Sequence, residues 1–102
     1  MPRDIFHVIA DPTRRRMLDM LIEGEKSVGA LAKPFSVSLP AVSQHLRVLK
    51  TGGLVTERRV GRERCYRLNP WPLRDIVDWT RHFELFWPSR LERLGEHLAK
   101  KR

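Results

Sequence analysis

Two periodicities meet at Gly52-Gly53, and that junction limits what this chain can fold into. Before it, Val42, Leu46 and Leu49 recur at helical spacing behind a start at Ser38-Leu39-Pro40, where serine suits the cap and proline the first turn. After it, Leu54 to Val60 and Glu63 to Leu68 are short runs of strand-forming residues separated only by Gly61-Arg62, the pattern of two strands joined by a tight turn. The expectation is a helix over 38–51 running into a β-hairpin over 54–68. At about 100° per residue, the apolar stripe of that helix leaves Pro40, Ser43, Gln44 and Arg47 on its other side. Short side chains, an amide and an arginine suit entry into a DNA major groove, where Gln pairs with adenine and Arg with guanine or phosphate.

Upstream, Asp4 to Ala10 carries Ile5, Phe6, Val8 and Ile9, a helix too short to stand without packing on something larger. Asp11-Pro12 opens a second helix whose Met17, Leu18, Leu21 and Ile22 repeat at three- and four-residue spacing until Gly24. Ser27 caps a third, brief helix with Val28, Leu31 and Ala32, which Pro34 ends. Helix, turn, helix, hairpin is the resulting order. The hairpin holds Arg62 at its tip and Arg58, Arg59, Arg64 and Arg67 on its flanks, a basic wing beside a groove-reading helix.

Beyond Asn69-Pro70-Trp71-Pro72, a stripe of Ile76, Val77, Phe83, Trp87, Leu91, Leu94 and Leu98 predicts a long terminal helix from Leu73 onward, interrupted at Pro88. Trp71, Trp79, Phe83, Phe86 and Trp87 are more large aromatics than a helix leaning on so small a core can bury, which implies a second copy of the chain against them. A monomer burying the whole stripe within itself is the competing reading. The tail Lys100-Lys101-Arg102 reads as a solvated end.

Composition narrows the partners. In 102 residues, 20 Lys and Arg against 12 Asp and Glu leave a formal charge of +8, which favours a polyanion. Membrane is disfavoured, since no apolar run approaches the roughly 20 residues a span needs, and Met1-Pro2-Arg3-Asp4 lacks a signal-peptide core; a cytoplasmic location is expected. A single cysteine, Cys65, excludes an intrachain disulfide. No phosphate loop, nucleophile–base pairing or metal motif points to an enzyme. The expected architecture is one winged helix-turn-helix domain over 1–102, mainly α with a small β-hairpin.

With Asp11-Pro12-Thr13-Arg14 opening the second helix, Val42-Ser43-Gln44-His45-Leu46-Arg47-Val48-Leu49 in the fourth, and a wing from Leu54-Val55 to Tyr66-Arg67-Leu68, the chain resembles ArsR/SmtB-type bacterial repressors over nearly its whole length. The resemblance implies a homodimer built from the first and last helices, bound to an operator in double-stranded DNA near a promoter. By the same resemblance, base contacts fall to Leu39, Pro40, Ser43, Gln44 and Arg47, and phosphate contacts to Ser38 and Arg62, with Arg58 and Arg64 beside them on the wing. The dimer surface is expected from Ile5, Phe6, Ile9, Ile76, Trp79, Phe83, Phe86, Trp87 and Leu91. Metal-sensing relatives carry Cys-x-Cys before the recognition helix, where this chain has Val28-Gly29-Ala30-Leu31-Ala32, or ligand sets along the last helix, whose spacing Asp75, Asp78, His82, Glu92 and His97 do not match. The resemblance is closer to the subgroup without metal ligands, so no metal or other cofactor is expected, and the inducer is unknown.

Three further features read two ways. His45 lies near the packed edge of its helix, which makes it a buried or capping histidine rather than a base reader. Cys65 is either packing or a redox sensor activated by nearby arginines. Arg14, Arg15 and Arg16 sit at a helix start, where the macrodipole disfavours cations, so they either touch phosphate or an acidic partner or form a solvated face with one arginine salt-bridged internally. Two alternatives to the operator-binding repressor remain: the same fold holding RNA or a protein, and a repressor switched by metal or oxidation.

Overall fold

The computed structural model describes residues 4–87. Asp11, Ser27 and Ser38 cap the helices expected of them, and Asp4 caps the first. Asp4 accepts from the Phe6 amide at 2.9 Å and starts α1 (Ile5–Ile9); Asp11 accepts from the Arg14 amide at 3.0 Å and starts α2 (Pro12–Leu21). Ser27 caps α3 (Val28–Ala32) through the Ala30 amide, and Ser38 caps α4 (Leu39–Thr51) through the Ala41 amide at 3.2 Å. Such caps are each worth about 1 kcal/mol, which matters for helices as short as α1 and α3.

The end of α4 shows why two glycines stand together. Gly53 has φ of 79°, its amide bonds the Lys50 carbonyl, and the Leu54 amide bonds the Leu49 carbonyl, each at 3.0 Å. This is the Schellman arrangement, and its apolar partners Leu49 and Leu54 are both fully buried. Gly52 serves packing instead. A Cβ there would stand 2.9 Å from Cγ2 of Val8, so its bareness lets α1 lie directly against the end of α4.

Strands β2 (Val55–Val60) and β3 (Glu63–Leu68) pair antiparallel as expected, with Val60 opposite Glu63 across the Gly61-Arg62 turn. The hairpin gains a third strand that the sequence pattern does not announce. β1 (Lys26–Ser27) pairs with β3 through Lys26–Tyr66 and Ser27–Cys65, giving the order β1-β3-β2. Two residues are too few for an alternation pattern, and these two also lead into the cap of α3.

One core holds these elements together: Val8 from α1, Met17 and Leu21 from α2, Leu31 from α3, Val42, Leu46 and Leu49 from α4, and Leu54, Val55 and Tyr66 from the wing. Seven of its side chains are essentially without exposure, and every described buried polar side-chain atom is partnered. Ile5 belongs to this core at 5% exposure, which corrects its assignment to a dimer surface; Ile9 and Ile76 are half-buried and pack on its margin.

The terminal helix also differs from expectation. After a 3-10 turn at Trp71–Leu73, α5 covers only Arg74–Thr80, and Arg81–Phe86 continues as 3-10 helix. Pro88, which has no amide to donate to a continuing helix, follows in sequence. The expected roles of Leu91, Leu94, Leu98, Glu92 and His97 lie outside the described residues.

Candidate nucleic-acid interface

Residues four apart on a helix share a face, and α4 turns Leu39, Ser43 and Arg47 toward the wing. Leu39 and Ser43 line an open groove of ≈ 470 Å³ with Arg59, Arg62 and Arg64. Ser43 and Arg47 line an adjoining hollow with Lys50, Glu57, Arg64 and Tyr66. Pro40 and Gln44 form the neighbouring exposed row. The opposite side of the helix is the core stripe of Val42, Leu46 and Leu49, all at 0% exposure. Ser38 spends its hydroxyl on the Ala41 amide. It sets the helix start beside the groove.

The wing sorts its arginines by strand alternation. Buried Val55 fixes one face of β2, and Glu57 and Arg59 follow on it; Tyr66 and Arg64 stand opposite them in β3. Arg59 faces Arg64 directly, and like charges in that relation repel unless an anion lies between them. Arg59 and Arg62 have no ion-pair partner among the described residues, and Arg64 only brushes Glu57 at 3.7 Å. Arg59 is therefore the groove residue absent from the expected contacts, although counting in twos from Val55 finds it.

Arg58, expected beside the phosphate contacts, is the converse case. It lies on the other face of β2 and closes a two-bond fork on Glu25, Nε to Oε2 at 2.7 Å and Nη2 to Oε1 at 2.8 Å. That bond holds the Glu25 carboxyl below its ordinary pKa and straps the wing to the segment before β1.

Glu57 anchors the face shared by α4 and the wing. It accepts from the Tyr66 hydroxyl and from Lys50 Nζ at 3.2 Å. The Tyr66 hydrogen bond, then Lys50 and Arg64, hold its carboxyl below the ordinary value against the upward pull of burial. Burial first, and Glu57 second, push the Tyr66 phenol up to about 12. One carboxylate thus fixes the last turn of α4 to the wing.

The remaining ambiguous residues resolve internally. Arg14 donates from Nε to the Val8 carbonyl at 2.6 Å, from Nη2 to the His7 carbonyl at 3.3 Å and from Nη1 to His45 Nδ1 at 3.3 Å. Asp11 Oδ2 stands 3.9 Å from the same nitrogen, and His45, half-buried between the two, is a packing residue, as its place on the helix edge implies. Arg15 caps the Ile9 and Ala10 carbonyls, and Arg16 lies 4.8 Å above the Phe35 ring. Cys65 is buried at 8% exposure, unlike the accessible thiolate that redox sensing needs. Among the described residues no cluster of three His, Cys, Asp or Glu is placed to hold a metal, and no helix is long and apolar enough to cross a membrane.

Away from this face, Phe6 and Trp79 meet edge to face at 5.5 Å, and Trp79 meets Phe83 likewise at 5.1 Å. Phe6, Trp79, Phe83 and Trp87 remain 37–49% exposed, and Phe86 79%. The ladder joins α1 to the last described elements.

Comparison with known proteins agrees with this geometry. A helix-turn-helix domain family model matches residues 9–58. The transcriptional repressor SdpR of Bacillus subtilis is 38% identical over 80 residues, covering 78% of this chain and 89% of that protein. The HTH-type transcriptional regulator Rv2034 of Mycobacterium tuberculosis is 46% identical over 85 residues, covering 78% and 79%. Among solved structures, the ArsR family transcriptional regulator RHA00566 superposes with a TM-score of 0.74 at 34% identity, over 83% of this chain and 88% of that one. A possible transcriptional regulator for arsenical resistance does so with a TM-score of 0.71 at 45% identity, over 93% and 96%.

Proposed function

The chain belongs to the ArsR/SmtB-type winged helix-turn-helix transcriptional regulators, and from that premise we propose that it represses transcription as a homodimer seated on an inverted-repeat operator. The observation that carries this reading is the convergence of Leu39, Ser43 and Arg47 with Arg59, Arg62 and Arg64 on one face, around a groove and the hollow that adjoins it. Side chains that discriminate bases lie beside cations that hold the backbone, the division of labour by which such proteins read duplex DNA. Two copies related by a twofold axis set their α4 helices in successive major grooves about 34 Å apart. The Phe6–Trp79–Phe83 ladder, with Phe86 and Trp87, supplies the surface between them: large, partly exposed aromatics are what interfaces bury.

Each residue then has a role. Gln44 and Arg47 discriminate bases, at roughly 1–3 kcal/mol for a good bidentate contact; Ser43 and Pro40 permit close approach. Arg62 and Arg59 bind phosphate, with Arg64 shared between phosphate and Glu57. Selection of bound duplexes from a random library, in parallel with structured RNA of equal length, tests the reading. Enrichment of an inverted repeat is expected, with Gln44→Ala relaxing preference at one or two positions while Arg62→Ala weakens all sequences alike. Preferential enrichment of RNA overturns it.

A further inference from the structure

Leu39 occupies a base reader's position with the wrong polarity for a phosphate or a hydrogen-bonding base edge. It stands in the first turn of α4, the end of a recognition helix that approaches base edges. It is 58% exposed and lines the arginine-rich groove one turn before Ser43. A scattered exposed leucine needs no explanation. This one is different, because α4 packs through Val42, Leu46 and Leu49 and does not use Leu39 in the core, while the groove it lines is otherwise mostly polar, with Ser27, Ser43, three arginines and Glu63 beside Val28 and Gly29.

In the major groove, the apolar group on a base edge is the C5 methyl of thymine. We infer that Leu39 reads that methyl, so that each half-site carries a thymine facing the amino-terminal turn of α4. The inference rests on the duplex-reading function proposed above and adds to it the identity of one base. The contact is apolar and contributes discrimination without adding to the salt dependence that the arginines supply.

Deoxyuridine makes the test specific, since it removes the methyl and keeps every hydrogen-bonding group of thymine. In a duplex selected from the random library, each thymine of one half-site is replaced in turn and affinity is measured by gel shift. Replacement at one position is expected to cost about fourfold, the worth of one buried methyl. Leu39→Ala, verified as folded by its thermal melt, binds more weakly and shows no further loss at that position, whereas Leu39→Met retains the sensitivity. If no replacement weakens the unaltered protein, or if Leu39→Ala keeps the full deoxyuridine penalty, Leu39 is not the reader, and operator binding still stands. Failure to enrich any duplex overturns the operator reading itself.

Discussion

Arg58 and Arg59 are neighbours in sequence with opposite fates in the fold, and replacing each by alanine separates a structural arginine from a phosphate-binding one. Arg59 faces the groove opposite Arg64 and has no ion-pair partner among the described residues; Arg58 lies on the other face of β2, forked onto Glu25. Each phosphate neutralised on B-DNA contributes about 0.9 to the slope of log affinity against log salt, and a dimer presents two wings, so Arg59→Ala should flatten the slope by about 1.8. Over a fourfold rise in salt, the unaltered protein should then lose roughly twelvefold more affinity than the variant. Arg58→Ala should leave the slope unchanged, because its charge is already compensated by Glu25. Fluorescence anisotropy with a fixed operator between about 50 and 200 mM salt, a range over which this effect is large, reads both slopes. Equal flattening by the two substitutions, or none from Arg59→Ala, refutes the assignment of faces.

Three other outcomes follow from the core, the anchor and the aromatic ladder. Leu46→Ala empties a fully buried site and should cost about 2–5 kcal/mol, lowering the melting temperature by on the order of 10–25 °C. Tyr66→Phe removes the bond to Glu57 and should cost about 1 kcal/mol. The phenol's raised pKa also gives stability that is complete below its unfolded value of 10.0 and lost as pH climbs through about 12, so alkaline melts should show a decline in that window that the phenylalanine variant lacks. Trp79→Glu places a charge between Phe6 and Phe83 and should shift sedimentation from dimer to monomer while weakening operator affinity.

Much of this architecture is legible because α2, α4 and the wing strands each agree at several levels. Asp11-Pro12 and Ser38-Leu39-Pro40 mark helix starts, Gly52-Gly53 marks a stop, and burial follows the predicted stripe at Met17, Leu18 and Leu21 and at Val42, Leu46 and Leu49, while Ile22, at the end of α2, stays 71% exposed. The reading face is legible for the same reason: once Val42, Leu46 and Leu49 go inward, Ser43, Gln44 and Arg47 have only one side left. What stays hidden depends on partners distant in sequence. β1 exists because β3 offers its edge to Lys26 and Ser27, and nothing local announces it. Arg58 finds Glu25, 33 residues away, and Arg14 finds His45, 31 residues away; a charge count cannot say which cations are already taken. Ile5 reads as surface because a five-residue helix has too few turns to define an inner side, and α5 gives way to 3-10 helix at Arg81 although the apolar spacing runs on unchanged.

The Arg14 guanidinium touches carbonyls of α1 and the imidazole on α4 while its own helix supplies the stem. The tilt of the reading helix and the seating of the amino-terminal one are thereby geared together. Displacing either leaves donors of the same planar fork without their acceptors, so neither helix shifts without cost to the seating of the other.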